Sequence, residues 1–107
     1  RTIAPLIGCA TIHKRVASIL QKRGFNTEIR GDRAVGFIHS SGHGLGLEIH
    51  EYPFLGAYPS RLRKGHIVTI EPGLYYPELG GIRIEDTVVV TQKGARILVP
   101  CPQVFEL

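Results

Sequence analysis

An α+β fold, with one main amino-terminal helix on an antiparallel sheet, is the class that this chain predicts. Three observations carry the prediction. One amphipathic stretch lies early, in residues 9–23. After Gly24 the period changes, and the apolar segments become short and strand-like. The last of them form a hairpin pattern, residues 82–91 and 95–99 around Gln92-Lys93-Gly94.

The helix is justified by Cys9, Ile12, Val16, Ile19 and Leu20, which recur at steps of three and four and make one buried stripe. Lys14, Arg15, Gln21, Lys22 and Arg23 fall between or after them, and basic residues suit a helix carboxyl end. Gly24 is expected at C′. Residues 1–8, with Pro5 and Gly8, read as a lead-in. Residues 35–38 and 47–50 read as short strands, the second by alternation. Residues 67–71 and 74–76 read as strands broken by Pro72-Gly73. Residues 82–91, rich in Ile, Val and Thr, make the best strand of the chain. Residues 52–65 hold two prolines and two glycines and read as a loop.

A chain of 107 residues has room for one domain and one modest core, residues 1–107 as a whole. Hydrophobic residues make up 43% of it, as in a folded protein rather than a disordered one. No apolar run approaches a membrane span, and Arg1 does not open a signal peptide. Cys9 and Cys101 lie far apart without a CxxC pattern and are expected as reduced thiols, which fits the cytoplasm. The net charge is +4. Its cations are not interleaved with aromatics and form no long block, so they are read as solvated faces rather than a nucleic-acid surface. The chain contains no methionine and begins at Arg1-Thr2, as expected of a fragment or a trimmed form of a longer protein.

The chemistry concentrates in His39-Ser-Ser-Gly-His43-Gly-Leu-Gly-Leu-Glu-Ile-His50-Glu51. Three histidines within twelve residues, threaded with Gly42, Gly44 and Gly46, suit a strand, a glycine-rich turn and a strand. Glycine there admits a substrate or a second strand close to the backbone. Glu71 follows the apolar run Ile67-Val68-Thr69-Ile70, and Glu85 sits inside residues 82–90. A carboxylate within a core-like strand is costly unless it is paired or binds a metal. Each glutamate could instead face solvent or pair with Arg83. Other motifs carry less. Ser40-Ser41-Gly42 lacks the frame of a nucleophile elbow, and Gly42-His-Gly44-Leu-Gly46 lacks the dinucleotide spacing. Tyr52, Tyr58, Tyr75 and Tyr76 line a pocket or sit half-buried with a wet hydroxyl.

The His39–Glu51 run, Glu71-Pro72-Gly73 and Gly81-Ile-Arg83-Ile-Glu85-Asp86, in this order and spacing, resemble one family. It is the creatinase, aminopeptidase P, prolidase and methionine aminopeptidase family of pita-bread metallopeptidases. The likeness spans residues 5–98, is closest to the proline-specific branch, and corresponds to the carboxy-terminal half of the fold. The resemblance implies His43, Glu71 and Glu85 as metal ligands, with Glu85 bridging two metals. Such a donor set suits Mn²⁺, Co²⁺, Zn²⁺ or Fe²⁺. It implies Glu71 as general base, His50 as the group steadying the oxyanion, and His39 as a substrate contact. It implies that Arg83 orients Glu85 or binds a substrate carboxylate. The implied reaction is hydrolysis of an amino-terminal or Xaa-Pro peptide bond.

The family takes two further ligands from aspartates of a preceding half-domain. Here the only aspartates are Asp32, in a Gly31-Asp32-Arg33 turn, and Asp86, the neighbour of Glu85. The family's Pro-Gly-Val-Thr helix start reads Pro5-Leu6-Ile7-Gly8, without a threonine N-cap. The chain is therefore expected to be incomplete or inactive alone, needing the missing amino-terminal half or a second copy of itself. The alternative is a non-catalytic pita-bread module that binds peptide, protein or nucleic acid.

Overall fold

The computed structural model describes residues 3–102 and 104. Helix α1 spans Cys9–Lys22, one residue short of the expected end. Gly8 is its N-cap and supplies no side-chain cap, as the missing threonine foretold. The lead-in is fixed instead by backbone pairing with the later loop: Leu6 N–H donates to the Leu62 carbonyl at 2.7 Å and Cys9 N–H to the Ser60 carbonyl at 2.8 Å. At the other end Gly24 takes φ +89°, where a Cβ would be strained. Gly24 N–H donates to the Gln21 carbonyl and Phe25 N–H to the Leu20 carbonyl, a Schellman ending. The apolar stripe is only half covered. Cys9 and Ile12 are buried, whereas Ile19 is 51% exposed.

Seven strands follow among the described residues, all paired antiparallel. β1 (Glu28–Arg30) and β2 (Arg33–Val35) make a hairpin that the sequence reading did not contain. Its turn uses Gly31 at φ +64°. The strand expected over 35–38 is thus displaced: β2 ends at Val35, and Gly36 bridges to Tyr75 instead. β3 (Ile67–Ile70), β6 (Asp86–Thr91) and β7 (Gly94–Ile97) form a three-stranded sheet in the order β3-β6-β7. β4 (Gly73–Tyr76) pairs with β5 (Gly80–Arg83).

Two more expectations are corrected. The single strand over 82–91 is two strands, β5 and β6, separated by Ile84 and Glu85. The break belongs to its partner: Pro72 has no N–H, so where the β3-β6 pairing passes into the β4-β5 pairing one ladder bond is missing, and only Ile84 N–H to the Pro72 carbonyl spans the gap. The strand over 47–50 is absent. Those residues are bends, and Leu47, Ile49 and His50 are exposed, because nothing pairs with them or covers them. Alternation without a partner strand does not hold an extended conformation.

The core is Cys9, Ile12, Leu55, Leu62, Val68, Val88 and Val90, so α1 packs against the β3-β6-β7 sheet through the loop of residues 52–65. That loop has no regular structure, as expected, yet it buries Leu55 and Leu62 completely. Cys9 is buried and Cys101 exposed, and both are free thiols, as expected. No described helix is long and apolar enough to cross a membrane.

Candidate metal and catalytic site

The histidine run lies against β3 as an irregular strand. Leu45 N–H donates to the Ile67 carbonyl at 3.1 Å, Thr69 N–H to the His43 carbonyl at 2.8 Å, and Glu71 N–H to the Ser41 carbonyl at 2.9 Å. Gly42 makes this approach possible. It takes φ +153°, and a Cβ there would run into the Thr69 carbonyl. The pairing sets His43 beside the end of β3, where Glu71 begins the break.

His43 Nε2 stands 3.2 Å from Glu71 Oε1, with both side chains nearly buried. His43 Nδ1 lies 2.9 Å from the Gly44 carbonyl. A carbonyl only accepts, so Nδ1 carries the hydrogen and Nε2 is the atom turned to the carboxylate. An imidazole lone pair and a carboxylate oxygen at this distance need a proton or a metal cation between them. The donor chemistry fits a divalent transition metal, and the carbonyl on the far nitrogen is the outer partner that metal-binding histidines use.

Two further side chains hold Glu71. Thr69 Oγ1–H donates to Oε1 at 2.8 Å and accepts His43 N–H at 3.0 Å, so one buried hydroxyl locks both residues. Arg83 Nη1 meets Oε2 at 3.2 Å. Arg83 Nε–H donates to Tyr75 Oη at 3.0 Å. Arg83 was expected to orient Glu85 or to bind a substrate carboxylate; in the structure its carboxylate partner is Glu71, the pairing with Arg83 that the sequence left open for either glutamate.

Glu85 lies in the break between β5 and β6 and is exposed. The pairs Ile70↔Asp86 and Gly73↔Arg83 belong to one continuous register, which sets Glu71 opposite Glu85. Ile84 N–H donates to the Pro72 carbonyl at 3.3 Å, as that register requires. The two glutamates therefore share one rung of the ribbon. Among the described residues, however, no three His, Cys, Asp or Glu side chains gather as a metal-holding group. The structure brings His43 and Glu71 together and leaves the Glu85 side chain in solvent.

His39 Nδ1 lies 2.7 Å from the Ser40 carbonyl, and its Nε2 is buried with no hydrogen-bond partner among the described residues. The ring stands edge-on to Phe37 at 5.4 Å and to Tyr75 at 5.5 Å. His50 is exposed, with its ring edge-on to His43 at 4.7 Å. An open cavity of about 630 Å³ is lined by His39, His43 and His50, with Phe37, Phe54 and Tyr58 on its walls. Another, of about 600 Å³, opens over the β6-β7 side of the sheet and contains none of the expected site residues.

The sequence reading missed His13, which lines the histidine cavity from α1. Burial first, and then the neighbouring His39, lower its pKa below the ordinary 6.5. A signal existed, because His13 falls on the apolar stripe, one residue after Ile12 and four after Cys9. A titratable side chain on a buried face marks a candidate partner.

Known proteins resemble this chain throughout. It is 59% identical over 63 residues to an Xaa-Pro dipeptidase of Pyrococcus furiosus, covering 58% of this chain and 18% of that protein. The prolidase structure from Pyrococcus furiosus superposes with a TM-score of 0.81 at 41% identity, over 95% of this chain and 28% of that one. An X-Pro aminopeptidase from Thermotoga maritima superposes at 0.81 with 31% identity, over 96% and 27%. The chain thus spans less than a third of each of these three proteins. The expected α+β architecture, with its likeness to half of a pita-bread fold, is borne out. The sequence pattern of metallopeptidase family M24 matches residues 1–92, and the chain belongs to that family.

Proposed function

We propose that this chain carries the carboxy-terminal part of an Xaa-Pro peptidase site, in which His43, Glu71 and Glu85 hold a divalent metal. The observation that carries the reading is the 3.2 Å approach of His43 Nε2 to Glu71 Oε1, with Nδ1 committed to the Gly44 carbonyl. When bound, Mn²⁺, Co²⁺, Zn²⁺ or Fe²⁺ would supply Lewis-acid polarisation of the peptide carbonyl. Glu71 would take the proton of the attacking water, steadied by Thr69 on one oxygen and Arg83 on the other. His50, at the open side of His43, would donate to the oxyanion, and His39 would face the substrate in the cavity.

Two donors that meet and a third on the same rung make a partial site, so activity would need further carboxylates. We assign these to a longer parent chain or to a second copy of this one. The free thiols of Cys9 and Cys101 agree with a cytoplasmic setting. One observation favours the non-catalytic alternative: Arg83 stands 3.2 Å from Glu71 and gives its charge a cationic partner without a metal.

The test is elemental analysis of the purified chain after dialysis against Mn²⁺ and Zn²⁺, followed by assays on Xaa-Pro peptides. Near-stoichiometric metal supports the site, and hydrolysis supports the peptidase. A metal-free chain that binds peptides without cleaving them would establish the alternative.

A further inference from the structure

Helix α1 reaches the site through His13. Its Nδ1 lies 3.1 Å from Ser41 Oγ, and Ser41 is fully buried. Ser41 is also a backbone junction. Its N–H donates to the Leu55 carbonyl at 2.7 Å, and its carbonyl accepts Glu71 N–H at 2.9 Å. Helix, loop and ribbon therefore meet at one residue, and His13 holds its side chain.

Two lines of contact run from His13 to Glu71. The short line passes through Ser41 to the Glu71 amide. The long line begins where the His13 ring meets Phe37 at 5.1 Å. It continues from Phe37 to His39 at 5.4 Å and from His39 to Tyr75 at 5.5 Å. It closes through Arg83, whose Nε–H donates to Tyr75 Oη at 3.0 Å and whose Nη1 meets Glu71 Oε2 at 3.2 Å. The contacts form a closed circuit, in which one line ends at the backbone of Glu71 and the other at its carboxylate.

We propose that His13 is a positioning residue that sets Glu71 and His39 for their roles, acting through Ser41 and Phe37. The proposal rests on the reading of Glu71 and His39 as site residues. A helix anchored by Cys9 and Ile12 alone would fill the core without specifying where Glu71 stands. A buried hydroxyl answered by an imidazole fixes that placement, because leaving it unanswered is costly.

The test uses His13→Leu, His13→Asn and Ser41→Ala in the full chain, together with the His13→Leu/Ser41→Ala pair. The first readout is NMR of the Glu71 amide and the His39 ring nitrogens. The second is calorimetric titration with Co²⁺. His13→Leu and Ser41→Ala are expected to move both sets of resonances and to weaken Co²⁺ binding about tenfold, the usual cost of losing an outer partner of a metal site. The double variant is expected to be no worse than either single one, and His13→Asn, which keeps a polar group beside Ser41, to recover much of the loss. Reduced thermal stability with unchanged Glu71 and His39 resonances and unchanged Co²⁺ affinity would overturn the proposal. If the unaltered chain takes up no Co²⁺, the metal-site reading fails. The resonances alone then decide the positioning role, a shift supporting it and no shift ending it.

Discussion

Glu71 and Glu85 occupy one rung of an antiparallel ribbon whose ladder is interrupted at Pro72, yet only Glu71 is buried, at 7% exposure, while Glu85 faces solvent. The register keeps them opposite although their environments differ. Directly opposite residues of an antiparallel pair share a face.

The two carboxylates are therefore expected to respond differently to the same change. Glu85→Gln should alter stability by no more than about 0.5 kcal/mol, as at other exposed positions, and should lower metal uptake sharply. Glu71→Gln should cost about 1–3 kcal/mol, because Thr69, His43 and Arg83 lose a charged acceptor in a buried place. Urea unfolding and metal analysis of both variants check the contrast. Equal destabilisation would contradict the burial difference.

Stability should depend on pH through His13. Its folded pKa lies below the ordinary 6.5, so in mildly acidic solution the unfolded chain binds more protons than the folded one. Well above pH 6.5 the ring is neutral in both states and contributes nothing to the dependence. As pH falls below that value, the folded state weakens until the folded ring also protonates. Urea midpoints measured between pH 7.5 and 5 should fall, and His13→Asn should reduce the slope. A slope unchanged by the substitution would assign the effect to another group.

The loop of residues 52–65 is expected to matter to the core as much as any strand does. Leu55 is fully buried and sits among Cys9, Ile12 and Val68. Its N–H and carbonyl also pair with Gly42 and Ser41. Leu55→Ala should cost about 2–5 kcal/mol, as do other large-to-small core changes. A cost under 1 kcal/mol, measured by urea denaturation, would mean that the loop is not part of the packed core.

The elements legible in the sequence were those whose signal is their own. Helix α1 shows a 3.6-residue stripe and a glycine stop, and β3 and β7 show apolar runs beside turns. The elements that escaped depend on a partner. β1 and β2 are exposed except at Val35, so no alternation announces them, and Gly31 closes their turn. The break between β5 and β6 is written in Pro72, on the strand opposite. Residues 47–50 alternate but find no partner. In the site, His43 and Glu71 were legible from their motifs. His13 and Thr69 were hidden, because each earns its place through a contact at a sequence distance that no local pattern reports.

The exposed run after His43 leads to the remaining prediction, which concerns the proposed second copy or missing half. Leu47 is fully exposed, Ile49 is 83% exposed, Tyr52 64% and Leu45 57%. Four large apolar or aromatic side chains within eight residues, beside a cavity of site histidines, are more than a monomer usually leaves open at one place. The chain also spans less than a third of the prolidase and X-Pro aminopeptidase that it resembles, so in such a longer protein the remaining length is available to cover such a face. In its absence, self-association should bury the same run. Light scattering should show a dimer or larger species at micromolar concentration. Leu47→Asp with Ile49→Lys should shift it toward the monomer without lowering the melting temperature, since neither side chain is packed in the folded chain. A monomer at every concentration would sink the homodimer and leave the longer parent chain as the source of the missing ligands. A dimer indifferent to both substitutions would move the interface elsewhere.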